Sequence, residues 1–566
     1  MLKLQPSTPF IFGMTTLLAC TASPTTAATF ELEEATVADV NRAFEAGALT
    51  SEQLVQLYIN RIQTYDKTGE QPLNSIIEIN PDAVAAARAL DQERQQSGPR
   101  GPLHGMPVIV KDNYDTFNQP TTAGSLSLAG SIPPNDSYQV RQLREAGAIV
   151  LAKSNMAEFA WSPNVTESSI LGTTRNPYNL DRVPAGSSGG TAAAVAANFG
   201  TLGLGTDTGN SIRGPSSHTA LVGLRSTIGL TSRDGIVPLF LNRDIGGPMV
   251  KSVEDAALVL NAIAGYDPAD PVTAAVQGVD LPDYTTFLDE SGLLDARLGV
   301  VQQLFRTDTA DAEVVALMEQ AISELTSQGA IVEPVTIPNL DSLVGRVWSG
   351  ANTFAFDINN YLESLGPDAP VQSLEEIIAS GQYADYIESR MLNAAAIGDV
   401  PPESREDFLA SEAAREEMRQ VVLSIMDAGE YDALIYPTWS NPPRLIGDLD
   451  SPTGNNSFQL SPPTGFPAIT VPMGYTVNDT LPAGLQLLGR PFDESTLLEL
   501  AYDYEQETQS RRPPALFPPL PGEVIEYESV PEPSTLPALS VLALGAIFVK
   551  RGQRHSQQAV EPFIKE

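Results

Sequence analysis

Histidine and cysteine are nearly missing from this chain of 566 residues, which holds three of the first and one of the second. Each shortage removes a chemistry. A structural or catalytic zinc site draws several ligands from these residue types, so no metal is expected. A lone Cys20 closes no disulfide within the chain, and its place near the start leaves the body without a thiol nucleophile. A Ser-His-Asp arrangement has only His104, His218 and His555 to draw on. Cations are also scarce: 33 Lys and Arg stand against 70 Asp and Glu, a net charge of −37. Such a surface repels phosphate backbones and anionic membranes, so nucleic acid is not an expected partner. Long hydrophobic runs are missing too. The apolar stretches Pro9–Ala19 and Leu536–Val549 both fall short of the ~20 residues that span a bilayer.

Those two stretches carry information about the chain's ends. Residues 1–28 hold a single charge, Lys3, then an apolar stretch and the small-residue run Thr26-Ala27-Ala28. That order is similar to a secretory signal peptide. Leu17-Leu18-Ala19-Cys20 also matches a lipoprotein processing site, although Ala28 is the better cleavage point. At the other end, Val530-Pro531-Glu532-Pro533-Ser534-Thr535 precedes the second apolar stretch and the basic cluster Lys550, Arg551, Arg554. This resembles a PEP-CTERM sorting signal, departing from it in the longer tail His555–Glu566. The pair implies an exported protein, periplasmic, cell-surface or extracellular, with transient membrane association through the tail and an exosortase-like sorting enzyme as partner.

Between the ends, the sequence predicts an α/β body. Residues 36–64 read as two amphipathic helices joined at Gly47, the second opened by Thr50-Ser51-Glu52. Helical patterns also cover 140–146, 191–198, 252–264 and 311–328. Short apolar strands are expected at 108–110, 148–152, 298–301, 331–335, 432–436, 468–471 and 483–488. Short apolar strands alternating with helices imply a sheet covered on both faces. No repeat or linker divides residues 29–515, so one domain is expected there, with a proline-rich spacer (Pro513–Pro521) and the sorting tail in 516–566.

Candidate chemistry gathers in three segments. Val183–Pro215 puts Ser187 and Ser188 in one Gly-flanked turn and Ser211 in another, with a small-residue helix between. The turn Thr206–Ser211 offers successive backbone N–H groups to a developing oxyanion. No lysine follows the glycines in a phosphate-loop pattern, so nucleotide binding is not indicated. Lys111 closes the apolar run Val108-Ile109-Val110, where desolvation lowers an amine's pKa and frees it as a base. Its alternative is a strand-end lysine paired with Asp112. His104 reads as a packing residue and His218 as one that lines or braces the site. The aromatic segments Phe159-Ala160-Trp161, Val347-Trp348 to Phe354, and Trp439 are candidate pocket walls.

Taken together, several blocks resemble the amidase signature family over about residues 35–510. They include Gly105-Met106-Pro107, Val110-Lys111-Asp112, Asn155–Phe159, Gly186–Gly190, Gly205–Arg213, Tyr436-Pro437-Thr438 and Gly484–Leu487. The resemblance implies a mixed central sheet with helices on both faces. It implies Ser211 as nucleophile, Ser187 as a bridging serine on a cis peptide bond, and Lys111 as general base. It assigns the oxyanion hole to the N–H groups of Thr208, Gly209, Asn210 and Ser211. Ser188, Asp207 and Arg213 match supporting residues, and no cofactor is implied. Two positions depart from the pattern: Asn210 stands where many members have glycine, with a side chain expected to narrow the pocket, and Ala185 replaces another glycine.

The implied activity is hydrolysis of a linear carboxamide through a serine acyl-enzyme. An N-acyl-amine hydrolase or esterase of the same family, and an inactive surface binding protein on the same fold, are the alternatives. The family's glutaminase component of a tRNA-dependent amidotransferase is disfavoured by the export signals.

Overall fold

The computed structural model describes residues 27–528. The expected leader, sorting signal and tail lie outside the described residues, apart from the leader's last two residues, Ala27 and Ala28, and the spacer as far as Glu528.

The first helices show how local sequence sets the architecture. Thr50 accepts a hydrogen bond from the Gln53 amide, and the Gln53 side chain accepts one from the Thr50 amide. This reciprocal box starts the helix Ser51–Tyr65. A second box at Thr36 and Asp39 starts Val37–Glu45. Gly47, at φ 68°, turns the chain between them.

Eleven strands form one sheet. From one edge the order is Ile331–Val335, Arg297–Val301, Ala433–Pro437, Leu481–Leu488, Ala468–Thr476, Val222–Arg225, Gly246–Val250, Leu202–Thr206, Pro107–Lys111, Ile149–Ser154 and Ile76–Ile79. Parallel pairs lie toward both ends, while the middle from Ala433–Pro437 to Leu202–Thr206 runs antiparallel and the edge strand Ile76–Ile79 also pairs antiparallel. The sheet is therefore mixed, as expected. Both faces are covered: Ala433 and Ile435 belong to one apolar cluster, while Leu434 and Tyr436 belong to another. The period of two along a strand sends alternate side chains to opposite cores.

The small-residue helix, Gly189–Ala196, is wholly buried. A Cβ on Gly190 would lie 2.1 Å from the Asn155 carbonyl oxygen, and one on Gly203 would lie 2.7 Å from Thr191 Cγ2. Glycine and alanine thus let the helix lie almost on the backbone of its neighbours. That close approach places the turn at its N-terminus, Ser187-Ser188, against the carboxyl ends of two adjacent parallel strands, Pro107–Lys111 and Leu202–Thr206.

The body runs further than the expected 29–515. Val524–Glu528 pairs antiparallel with Ala27–Glu31, so the expected spacer carries a strand and Ala27 and Ala28 begin its partner. Phe517 packs edge-on against Tyr65 and Phe199. Arg61, fully buried, donates to Glu523 Oε2 at 2.6 Å and to the carbonyls of Phe517 and Ala197. A proline-rich segment reads as a spacer because it lacks periodicity, but these carbonyls find their donor in Arg61.

Candidate active site

Lys111 and Thr206 end two adjacent parallel strands, the position where open α/β sheets place ligands. Lys111 Nζ donates to the hydroxyl oxygens of Ser187 and Thr206, each at 2.7 Å. Asn113 Nδ2 donates to the same Thr206 oxygen at 3.0 Å. Lys111 is fully buried and makes no ion pair among the described residues. Burial pushes its pKa down to about 7, against the pull of Asp244 and Asp207. The alternative pairing with Asp112 is not formed: the Asp112 carboxylate lies 3.4 Å from Lys153 Nζ and accepts from the Gly124 amide.

The Gly186–Ser187 peptide is cis. Its neighbour Ser188 donates to the Thr206 carbonyl at 3.1 Å and accepts from the Thr206 amide at 3.3 Å. Ser188 therefore ties the Ser187 turn to the strand that supports Lys111. Ala185, just before the turn, sits at φ 66°, which explains why glycine is the commoner residue there.

The second turn is built around Asp207. Its buried carboxylate accepts from Arg213 Nε at 3.0 Å, Arg225 Nη1 at 3.3 Å and the Ile212 amide at 3.3 Å. Burial alone would raise this carboxyl, but the two guanidinium groups outweigh it and hold it below the usual range. Arg213 also donates to the Gly209 carbonyl at 3.0 Å. The carbonyls are thus held inward, and the amides of Thr208, Gly209, Asn210 and Ser211 meet no acceptor among the described residues. Thr208 Oγ1 donates to Asp244 Oδ1 at 2.5 Å. Asp244 in turn accepts from the Leu239 amide at 2.8 Å, fixing one cavity wall to the turn.

Thr208, Gly209, Asn210 and Ser211 line a cavity of about 880 Å³. Ala160, Trp161, Trp348, Phe240 and Phe458 supply its aromatic and apolar wall. The Ser211 hydroxyl has no protein partner among the described residues, while Ser187 and Lys111 lie behind the lining. The arrangement is layered, with an accessible hydroxyl and free amides in front and a hydroxyl bonded to a desolvated amine behind.

Asn210 does line the cavity. Its Nδ2 turns toward the other serine turn and donates to the Gly186 carbonyl at 3.2 Å and the Pro163 carbonyl at 3.4 Å. Several expectations need correction. Phe159, Val347, Phe354 and Trp439 are buried and do not line the cavity. Trp439 stacks on His218 at 4.7 Å, and burial pushes that histidine down to about 3. His218 thus braces and does not line. His104 is structural: its Nδ1 accepts from the Arg100 amide and its Nε2 faces the Leu90 carbonyl at 2.9 Å.

Four participants were not singled out from sequence: Thr206, Asn113, Asp244 and Arg225. Thr206 and Asn113 carried a weak signal, being polar residues at or just beyond the ends of apolar strands. Asp244 and Arg225 reach the turn from distant segments and had none.

An eleven-stranded mixed sheet carrying two serine turns and a buried lysine defines a class of hydrolase, and comparison with known proteins gives its family. The family profile described as Amidase matches residues 53–498, and the chain belongs to the amidase signature family. It is 34% identical over 513 residues to a probable amidase of Arabidopsis thaliana, covering 86% of this chain and 92% of that one. It is 35% identical over 518 residues to a glutamyl-tRNA(Gln) amidotransferase chain of Moorella thermoacetica, covering 85% and 98%. Among solved structures, the peptide amidase of Stenotrophomonas maltophilia is 39% identical with a TM-score of 0.78, covering 85% of this chain and 99% of that one.

Proposed function

We propose that this amidase-family hydrolase cleaves a linear carboxamide to a carboxylic acid and ammonia or an amine, with Ser211 as nucleophile, Ser187 as proton relay and Lys111 as base. The observation that carries the reading is the 2.7 Å contact between Lys111 Nζ and Ser187 Oγ, behind a cavity lined by Ser211 and by a turn whose four amides, Thr208 to Ser211, meet no acceptor among the described residues. Neutral Lys111 receives the Ser187 proton as Ser187 receives that of Ser211. The Ser211 oxygen bonds to the amide carbon, and the carbonyl electron pair moves onto oxygen, where the amides of Thr208–Ser211 donate to it. The proton returns through Ser187 to the leaving nitrogen as the C–N bond breaks. Water then attacks the ester, the same relay removes its proton, and that proton passes to the Ser211 oxygen as it leaves. Metal and cofactor play no part in these steps.

The reading extends to location. The leader-like residues 1–28 and the PEP-CTERM-like tail support export, with the tail met by a sorting enzyme. The 39% identical neighbour is a peptide amidase, which supports a carboxamide substrate larger than a simple primary amide. The test is a panel of primary, aryl, fatty-acyl and peptide C-terminal amides assayed with the wild type and Ser211→Ala. Hydrolysis of at least one class, abolished in the variant, is expected. Full activity in Ser211→Ala refutes the assignment.

A further inference from the structure

The cavity mixes apolar and polar lining and is almost without charge. Asparagine and glutamine side chains, hydroxyls and aromatic rings make up most of its lining, and no lysine, arginine or histidine reaches it. Asp341 is the only ionisable side chain that does. It stands in the first turn of the helix Leu340–Trp348, whose last residue, Trp348, lines the same cavity beside Gly209. Asp341 is exposed and forms no hydrogen bond or ion pair among the described residues. By contrast, Glu417 holds Arg346 of the same helix at 2.8 Å.

An unpaired carboxylate on the wall of a reaction cavity is a directional feature. It attracts an ammonium or guanidinium group and repels a second carboxylate, and no cation in the lining offsets it. We propose that Asp341 is a specificity-determining residue that selects carboxamides bearing a cationic group remote from the scissile bond and disfavours those bearing an anion. This rests on the amidase reading given above and names its substrate class. The geometry supplies one anchor at Ser211 and its free amides and a second at Asp341, so selectivity depends on the separation of amide and charge in the substrate.

A ladder of ω-aminoalkanamides, the alkanamides in which methyl replaces ammonium, and the matching ω-carboxyalkanamides measures that separation. The readout is the ratio of kcat/KM for the cationic and neutral member at each length. In the wild type the ratio peaks at one length, at about three- to fivefold at low salt. It falls toward one as salt screens the pair, and the anionic series lies below one. Asp341→Asn flattens the peak. Asp280→Asn removes an exposed carboxylate that does not line the cavity and keeps it, separating a local effect from the field of the whole acidic body. A ratio near one at every length, or a peak that survives Asp341→Asn, overturns the proposal. If no alkanamide is hydrolysed, the wider panel of amides given above decides the amidase reading. The affinities of the three series for Ser211→Ala, measured by calorimetry, then decide the selectivity on the same criteria.

Discussion

Lowering the pH is expected to protonate Lys111 and, with Lys111 as the base, to switch activity off. Lys111 has burial driving its pKa from the ordinary 10.5 to about 7. In the proposed mechanism the active form is the neutral amine, so activity is expected to rise with pH. With a pKa of about 7, roughly half of the enzyme carries a free base at pH 7, about a tenth at pH 6 and about a hundredth at pH 5. An ordinary lysine would leave only about three molecules in ten thousand competent at pH 7, so burial is worth about a thousandfold. The assay is kcat/KM for a neutral amide between pH 5 and 9, because that quantity reports the free enzyme. The expected profile has unit slope below an inflection near 7 and a plateau above it. Asp244 pulls the lysine's pKa up, so Asp244→Asn moves the inflection to lower pH. A flat profile from pH 5 to 9, or an inflection near 10, refutes a buried lysine base.

Further outcomes follow from the same contacts. Lys111→Ala abolishes most amide hydrolysis and Ser187→Ala impairs it severely, on the order of 100-fold or more, measured as kcat with saturating substrate. The unfolded chain keeps its Lys111 proton up to 10.5 while the folded one releases it near 7. Folding stability attributable to this residue therefore rises between those values and carries its full penalty below them. Lys111→Met lifts that penalty, raising the unfolding free energy at pH 6 by roughly 2 kcal/mol or more, as read by urea titration. Asp207→Ala leaves Arg213 and Arg225 buried without their carboxylate and costs about 3–5 kcal/mol, read in the same titration. Arg61→Ala strands Glu523 and the Phe517 and Ala197 carbonyls, and limited proteolysis then cuts the chain after about residue 510 sooner than in the wild type.

The strands visible in the sequence were those with continuous apolar character, such as Pro107–Lys111 and Ala433–Pro437, whose residues are buried on both faces. Leu202–Thr206 and Gly246–Val250 gave little sign, because glycine is depleted in strands generally. Here it is required by close approach: a Cβ on Gly205 would meet Met249 Sδ at 2.4 Å and Ser188 Oγ at 3.0 Å. The helices Phe354–Leu365, Leu374–Ser380 and Glu388–Ile397 form a second apolar cluster with Phe159, Trp161 and Leu239. Their pairing with a distant segment has no local signature. At the site, Lys111, Ser187 and Ser211 were picked out through the resemblance to the amidase signature family, and the local sequence alone left Lys111 open to pairing with Asp112. Asp244 and Arg225 reach the serine turn from segments far away in sequence. Asn210 was visible as a departure, but the direction of its side chain depends on where Gly186 lies.

A nucleophilic Ser211 can be trapped as a covalent adduct. A fluorophosphonate probe followed by peptide mapping should add one phosphonyl group per chain on Ser211. Labelling should fall with Lys111→Ala and vanish with Ser211→Ala. A folded wild type that takes up no label, or an adduct mapped to Ser187 or elsewhere, contradicts the account.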